Sequence, residues 1–249
     1  MKIAVLGSSS SGNSTYIEIN GIKFLIDAGL GFNDIKNKLF QLGVTADEIN
    51  FILITHAHND HVRSLHSFQR VYNTKVYISK GTYSEYMKKD LLTNFEYLED
   101  IDNIMGLDII KIPISHDKKG YGFIIKHEDK TISYLTDTGM IHSKYHELLK
   151  NNKVYLFESN HDVEMEMNGT KDEMTKIRNI GDSGHLSNDQ CAMYLSRFVG
   201  KKTKAIILMH ISEHDNTYDL AFNTNRNAID SSIPIYLSYK DELSSIIEL

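Results

Sequence analysis

Residues 55–61 read Thr-His-Ala-His-Asn-Asp-His, which places His56, His58, Asp60 and His61 in the spacing H-x-H-x-D-H. Imidazole nitrogen and carboxylate oxygen are donors that zinc and manganese accept. In an extended turn His56 and His58 fall on the same side and can grip one divalent ion. Asp60 and His61 follow a bend in the chain and can face a second. Four donors do not complete two ions, so further ligands are required, and His116, Asp137 and His210 are the candidates. A histidine-rich loop that binds no metal is the competing reading; it leaves the downstream donors unexplained.

Those donors share a placement. FLI runs into Asp27, FILIT into His56, IIKIPIS into His116, ISYLT into Asp137, VYLF into Glu158 and AIILM into His210. An apolar strand gives a rigid platform, and the loop beyond its end is where polar side chains can converge. The elements needed for this are legible along the chain. Strands are expected near residues 3–6, 15–19 and 23–26, with Asn20-Gly21 as a hairpin turn because both positions need positive φ. A helix is expected over 34–42, closing at Gly43. Further strands fit 51–54, 75–78, 109–114, 121–126, 131–135, 154–157 and 205–209, with a helix over 63–72. Ser187 with Gln190 forms a capping box, so a helix should run over 188–198 and end at Gly200. Strands and helices alternate with hairpins between them, which predicts an α/β layered fold with mixed sheets in one domain, 1–249.

The chain has 249 residues, 41% of them hydrophobic and 24% charged, as in ordinary globular proteins. Its 27 Lys and Arg stand against 33 Asp and Glu, a net charge of -6, and the linear sequence shows no basic stripe of the kind that grips long nucleic acids. No apolar run approaches the roughly 20 residues of a membrane span. The opening MKIAVLG is too short for a secretory signal core, and one cysteine, Cys191, excludes an internal disulfide. The expected location is the cytoplasm, that of a host cell if the gene is phage-borne.

The complete H-x-H-x-D-H motif resembles that of the metallo-β-lactamase superfamily. ESNHDVEM at 158–165, GDSGHLSN at 181–188 and HISEH at 210–214 resemble its YycJ/WalJ group, as do SSSSGN at 8–13 and LIDAG at 25–29. Phage anti-Pycsar phosphodiesterases look similar. The resemblance implies a four-layer αββα sandwich with two mixed β-sheets. It implies two divalent metal ions, zinc first, with manganese accepting the same donors. His56, His58, His116 and a bridging Asp137 would hold one ion; Asp60, His61, Asp137 and His210 the other. Asp27 would orient the histidine motif from behind. Catalytic work falls to His185, Asp60 and Glu158, with His185 protonating the leaving alkoxide and Glu158 holding its other nitrogen. The alternative for His185 is a helix cap. SSSSGN resembles a phosphate-cradling loop, although Gly and Ser turns are common. A homodimer is also implied.

Three features depart from larger relatives: there is no β-CASP insert, no long exosite arm, and residues 169–175 replace a Pro- and Trp-rich stretch. With the acidic balance, these features favour a small nucleotide substrate, 3′,5′-cyclic nucleotides hydrolysed to monophosphates, with no stable nucleic-acid complex and no membrane partner. The alternatives are a YycJ/WalJ-like exonuclease on DNA or RNA, a thioester or lactone hydrolase, and a metal-stabilised binding protein without turnover. Asp60 standing where true lactamases often carry a cysteine tilts away from β-lactam hydrolysis.

Overall fold

A computed structural model describes all 249 residues. The chain forms two compact units. The first comprises Met1–Ile109, Lys118–Tyr121 and Tyr239–Leu249; the second comprises Ile110–Asp117 and Gly122–Ser238.

The first unit is built on a seven-stranded mixed sheet in the order β14-β1-β2-β3-β4-β5-β6. The three expected strands, β1 (Lys2–Gly7), β2 (Ser14–Ile19) and β3 (Ile22–Ile26), form an antiparallel meander. Asn20 and Gly21 turn it with φ of 52° and 80°. Strands β4 (Phe51–Leu53), β5 (Lys75–Ile78) and β6 (Phe95–Tyr97) then run parallel to β3. Strand β14 (Ile247–Glu248) closes the other edge. Helix α1 (Phe32–Gln41) ends at Gly43, φ 74°, as its spacing predicts. The segment read as one helix over 63–72 is a short α2 (Asn59–Val62) followed by α3 (Leu65–Tyr72). A short α4 (Lys80–Glu85) follows β5. Leu25, Ile52, Ile54, Phe68 and Val76 are fully buried in one core, each side chain contributing about 1.5–3 kcal/mol relative to exposure.

The second sheet has the order β13-β12-β11-β10-β9-β8-β7. Its short edge pair is β7 (Asn103–Ile104) and β8 (Leu107–Pro113). Strands β9 (Tyr121–His127) and β10 (Lys130–Leu135) are antiparallel, whereas β10, β11 (Val154–Glu158), β12 (Ala205–Met209) and β13 (Ile235–Leu237) are parallel. Between β10 and β11 lies α5 (His146–Leu149). Helix α8 (Asn188–Phe198) starts at the Ser187/Gln190 capping box and buries Cys191, Tyr194, Leu195 and Phe198, the i, i+3, i+4, i+7 stripe of a core-facing helix. It ends on extended Val199 rather than through a left-handed glycine. Helices α6 (Val163–Asn168), α7 (Glu173–Ile180) and α9 (Tyr218–Ala228) carry no such stripe. No helix is long and apolar enough to cross a membrane.

Candidate active site

Parallel neighbours end at the same edge of a sheet, and this register gathers the donors. In the first unit Ile26 pairs with Leu53, so Asp27 and Thr55 emerge side by side. In the second, β10, β11 and β12 are consecutive and parallel, so Asp137, Glu158 and His210 emerge together. Asp27, Asp137 and His210 have φ of 63°, 56° and 54°. A left-handed backbone at a non-glycine residue costs of order 1–3 kcal/mol and persists where the surroundings over-determine it. Here it turns the chain sharply at three strand ends that carry donors.

In the first unit Asp27 is fully buried. Its Oδ1 accepts the Thr55 backbone N–H at 2.8 Å and its Oδ2 accepts the Thr55 hydroxyl at 2.8 Å and His61 Nδ1 at 2.7 Å. Burial pushes its carboxyl up, and His61 and Thr55 pull the other way. With Nδ1–H given to Asp27, His61 keeps the lone pair on Nε2, 3.4 Å from Asp60 Oδ2. The Asn13 amide reaches both, at 3.0 Å from His61 Nε2 and 3.2 Å from Asp60 Oδ2. His56 Nε2 and His58 Nδ1 stand 2.9 Å apart. Two nitrogens on one tetrahedral zinc would stand roughly 3.3 Å apart for bonds of about 2.0–2.1 Å. The donor chemistry and spacing therefore fit a divalent ion.

Backbone bonds fix this loop against the start of the chain. Ala28 N–H donates to His61 O, Asn13 N–H to Asp60 O, and Ser64 N–H to Ala28 O. Gly29 permits the approach, since a Cβ there would sit 1.5 Å from the Asp60 carbonyl oxygen. In the 8–13 loop Ser8, Ser9 and Asn13 are buried, and the Ser8 hydroxyl and Ser9 N–H donate to Asn13 Oδ1. The loop holds the Asn13 amide against two expected ligands. Sequence reasoning missed Asn13 because Ser, Gly and Asn together read as an ordinary turn.

In the second unit, donor atoms of Asp137, Glu158, His185 and His210 all lie within 4.8 Å of one another. Glu158 Oε1 accepts His185 Nδ1 at 2.7 Å and His210 Nδ1 at 2.9 Å, and its Oε2 accepts the backbone N–H groups of Thr138 and Leu186. Its burial opposes ionisation, but charge and hydrogen bonds from His185 and His210 hold the carboxyl below the usual carboxylate range. Both histidines therefore present Nε2. His116 gives Nδ1–H to Gly184 O at 3.2 Å, and its ring stands 5.1 Å from that of His185. The Asn160 amide donates to the His210 carbonyl. Ser187, not His185, caps α8. His161 is fully buried with a hydrogen-bond partner at neither ring nitrogen, and burial lowers its pKa.

Residues 9–154 match the Lactamase_B model of the metallo-beta-lactamase superfamily. The chain belongs to the metallo-β-lactamase superfamily. Exodeoxyribonuclease WalJ of Streptococcus pneumoniae is 34% identical over 242 residues, covering 92% of this chain and 88% of that one, which places the chain in the YycJ/WalJ-like branch. The anti-Pycsar protein Apyc1 of Saccharibacillus brassicae is 38% identical over 56 residues, 22% of each chain. Among solved structures, the metallo-β-lactamase-fold protein YhfI of Bacillus subtilis superposes with a TM-score of 0.73 at 14% identity over 97% of both chains. Two mixed seven-stranded sheets with helices are thus the superfamily's fold. The chain is a metallo-β-lactamase-fold, metal-dependent hydrolase, and its His/Asp clusters fit a dinuclear metal site.

Proposed function

We propose that the chain, acting as one hydrolase domain over 1–249, is an exonuclease that cuts DNA phosphodiesters. The observation that carries this is the likeness to an exodeoxyribonuclease along 92% of the chain, through the C-terminal motifs as well as the histidine motif. The likeness to the anti-Pycsar protein, which favours cyclic nucleotides, spans 22%. Two ions would be held by the ligand sets the family implies: His56, His58, His116 and Asp137 for one, and Asp60, His61, Asp137 and His210 for the other. Zinc is the first candidate and manganese the second. When bound, such ions supply Lewis acidity, neutralise phosphate charge and bring the pKa of water towards neutrality.

The chain's own residues supply orientation and the proton. Asp27 fixes the His61 tautomer, and Asn13 steadies Asp60 and His61. Glu158 fixes His210 and His185 alike. His185 carries its mobile proton on Nε2 and delivers it to the leaving 3′ or 5′ alkoxide. A DNA substrate and a single cysteine suit a cytoplasmic enzyme, and a homodimer is the assembly proposed.

The test is a panel of end-labelled DNA, end-labelled RNA and 3′,5′-cyclic nucleotides, with metal content measured on the same preparation. The expected outcome is two ions per chain and stepwise shortening of DNA. Hydrolysis of cyclic nucleotides with DNA left intact would replace this reading with the phosphodiesterase one. Metal content near zero after chelator-free purification would remove both.

A further inference from the structure

Beside the histidine motif, the first unit has a cavity of about 500 Å³, within the range of small-ligand sites. His58 and Asn59 form one wall. Ala57, Val62, Tyr86 and Met87 give it an apolar lining, and the Met87 side chain stands 97% exposed. Around them lie Arg63, Lys88 and Lys118, with Glu85 the one carboxylate. A chain of net charge -6 thus carries three cations against one anion at this spot.

Tyr86 is 4% exposed and its hydroxyl has no hydrogen-bond partner. Glu85 Oε2 makes no hydrogen bond either, and its nearest cation, Lys118 Nζ, is 3.9 Å away. The apolar floor matches the face of a nucleobase. Cations at the rim match the phosphates on either side of it.

We propose that this cavity is a nucleotide subsite, which takes the DNA unit next to the scissile phosphate. The base packs on Val62, Tyr86 and Met87, and Lys88 and Lys118 each hold one of the phosphates beside it. The proposal rests on the exonuclease reading, and supplies the cationic groove that the linear sequence does not display: its three cations are separated by tens of residues and meet only through the fold.

The test is equilibrium binding of a 5′-phosphorylated phosphorothioate dithymidylate to the metal-loaded protein over a salt series. The wild type is compared with the Lys88→Ala, Lys118→Ala double variant, and both side chains are exposed enough for the variant to fold. The double variant should bind at least tenfold more weakly. The slope of log K against log salt should flatten by about 1.4, roughly 0.7 per lost phosphate contact on a single strand. Equal affinity and slope in the two proteins overturns the subsite, as does binding by neither. Degradation of labelled DNA by the wild type is scored separately. Its failure with the binding contrast intact would sink the exonuclease reading and leave the nucleotide subsite standing.

Discussion

Glu158 Oε1 lies 2.7 Å from His185 Nδ1 and 2.9 Å from His210 Nδ1, so one carboxylate sets the tautomer of two histidines for which different tasks are proposed. The two tasks separate by mutation. His185→Ala should lower kcat on DNA by about 10²–10⁴ and leave the metal content intact. The loss should be much smaller on bis-p-nitrophenyl phosphate, whose leaving group needs no proton. Glu158→Gln should also weaken metal binding, by roughly 10–100-fold, because His210 loses its charged partner. Elemental analysis beside both kinetic assays checks this. Equal losses on the two substrates in His185→Ala would mark that histidine as structural.

At the scale of elements, the stretch that replaces the Pro- and Trp-rich segment is built on charge. Lys171, between α6 and α7, binds Glu166 at 3.0 Å and Asp215 at 2.7 Å, both carboxylates being buried. Asn179 also donates to Glu166, and its carbonyl accepts the backbone N–H of His185. The network thereby connects α6 and α7 to the proposed acid. Lys171→Met leaves two buried carboxylates without their cation. It should cost about 2–3 kcal/mol, below the roughly 3–5 of a fully buried pair because the lysine side chain keeps 32% exposure. A lower urea midpoint at unchanged slope would show it, with Lys171→Arg restoring most of the loss. A wild-type midpoint in Lys171→Met would make the network incidental.

Such elements also mark where the sequence stops being legible. The strands that carry Asp27, His56, Asp137, Glu158 and His210 announce themselves because apolar runs end abruptly in donor residues. Helix α7 buries Lys176 and Asn179, and α9 buries Ala221 and Asn225, so neither shows an apolar stripe to read. Asn13 and the Arg63, Lys88 and Lys118 group depend on contacts between distant segments. Hydrophobic periodicity reports burial of apolar faces, and these residues are placed by polar contacts or by the fold.

At the scale of the whole molecule, charge limits how a nuclease of this kind can hold its substrate. With 27 cationic side chains against 33 anionic ones, affinity for DNA cannot come from a general positive field. On the proposed reading it comes from the metal ions and from the few cations gathered at the subsite, Arg63, Lys88 and Lys118. Three contacts on a single strand give a slope of about 2 in log(kcat/KM) against log salt. Activity should therefore fall roughly 15-fold between 50 and 200 mM salt, against the 10³–10⁵ expected for six to ten phosphate contacts. Weak electrostatic retention also predicts distributive shortening, in which every labelled strand loses a few nucleotides before any is consumed. Initial rates over a salt series and product ladders at substrate excess measure both. A slope steeper than about 5, with full-length and fully degraded strands coexisting, would mean that a larger cationic surface engages the DNA and that this subsite is not its main hold.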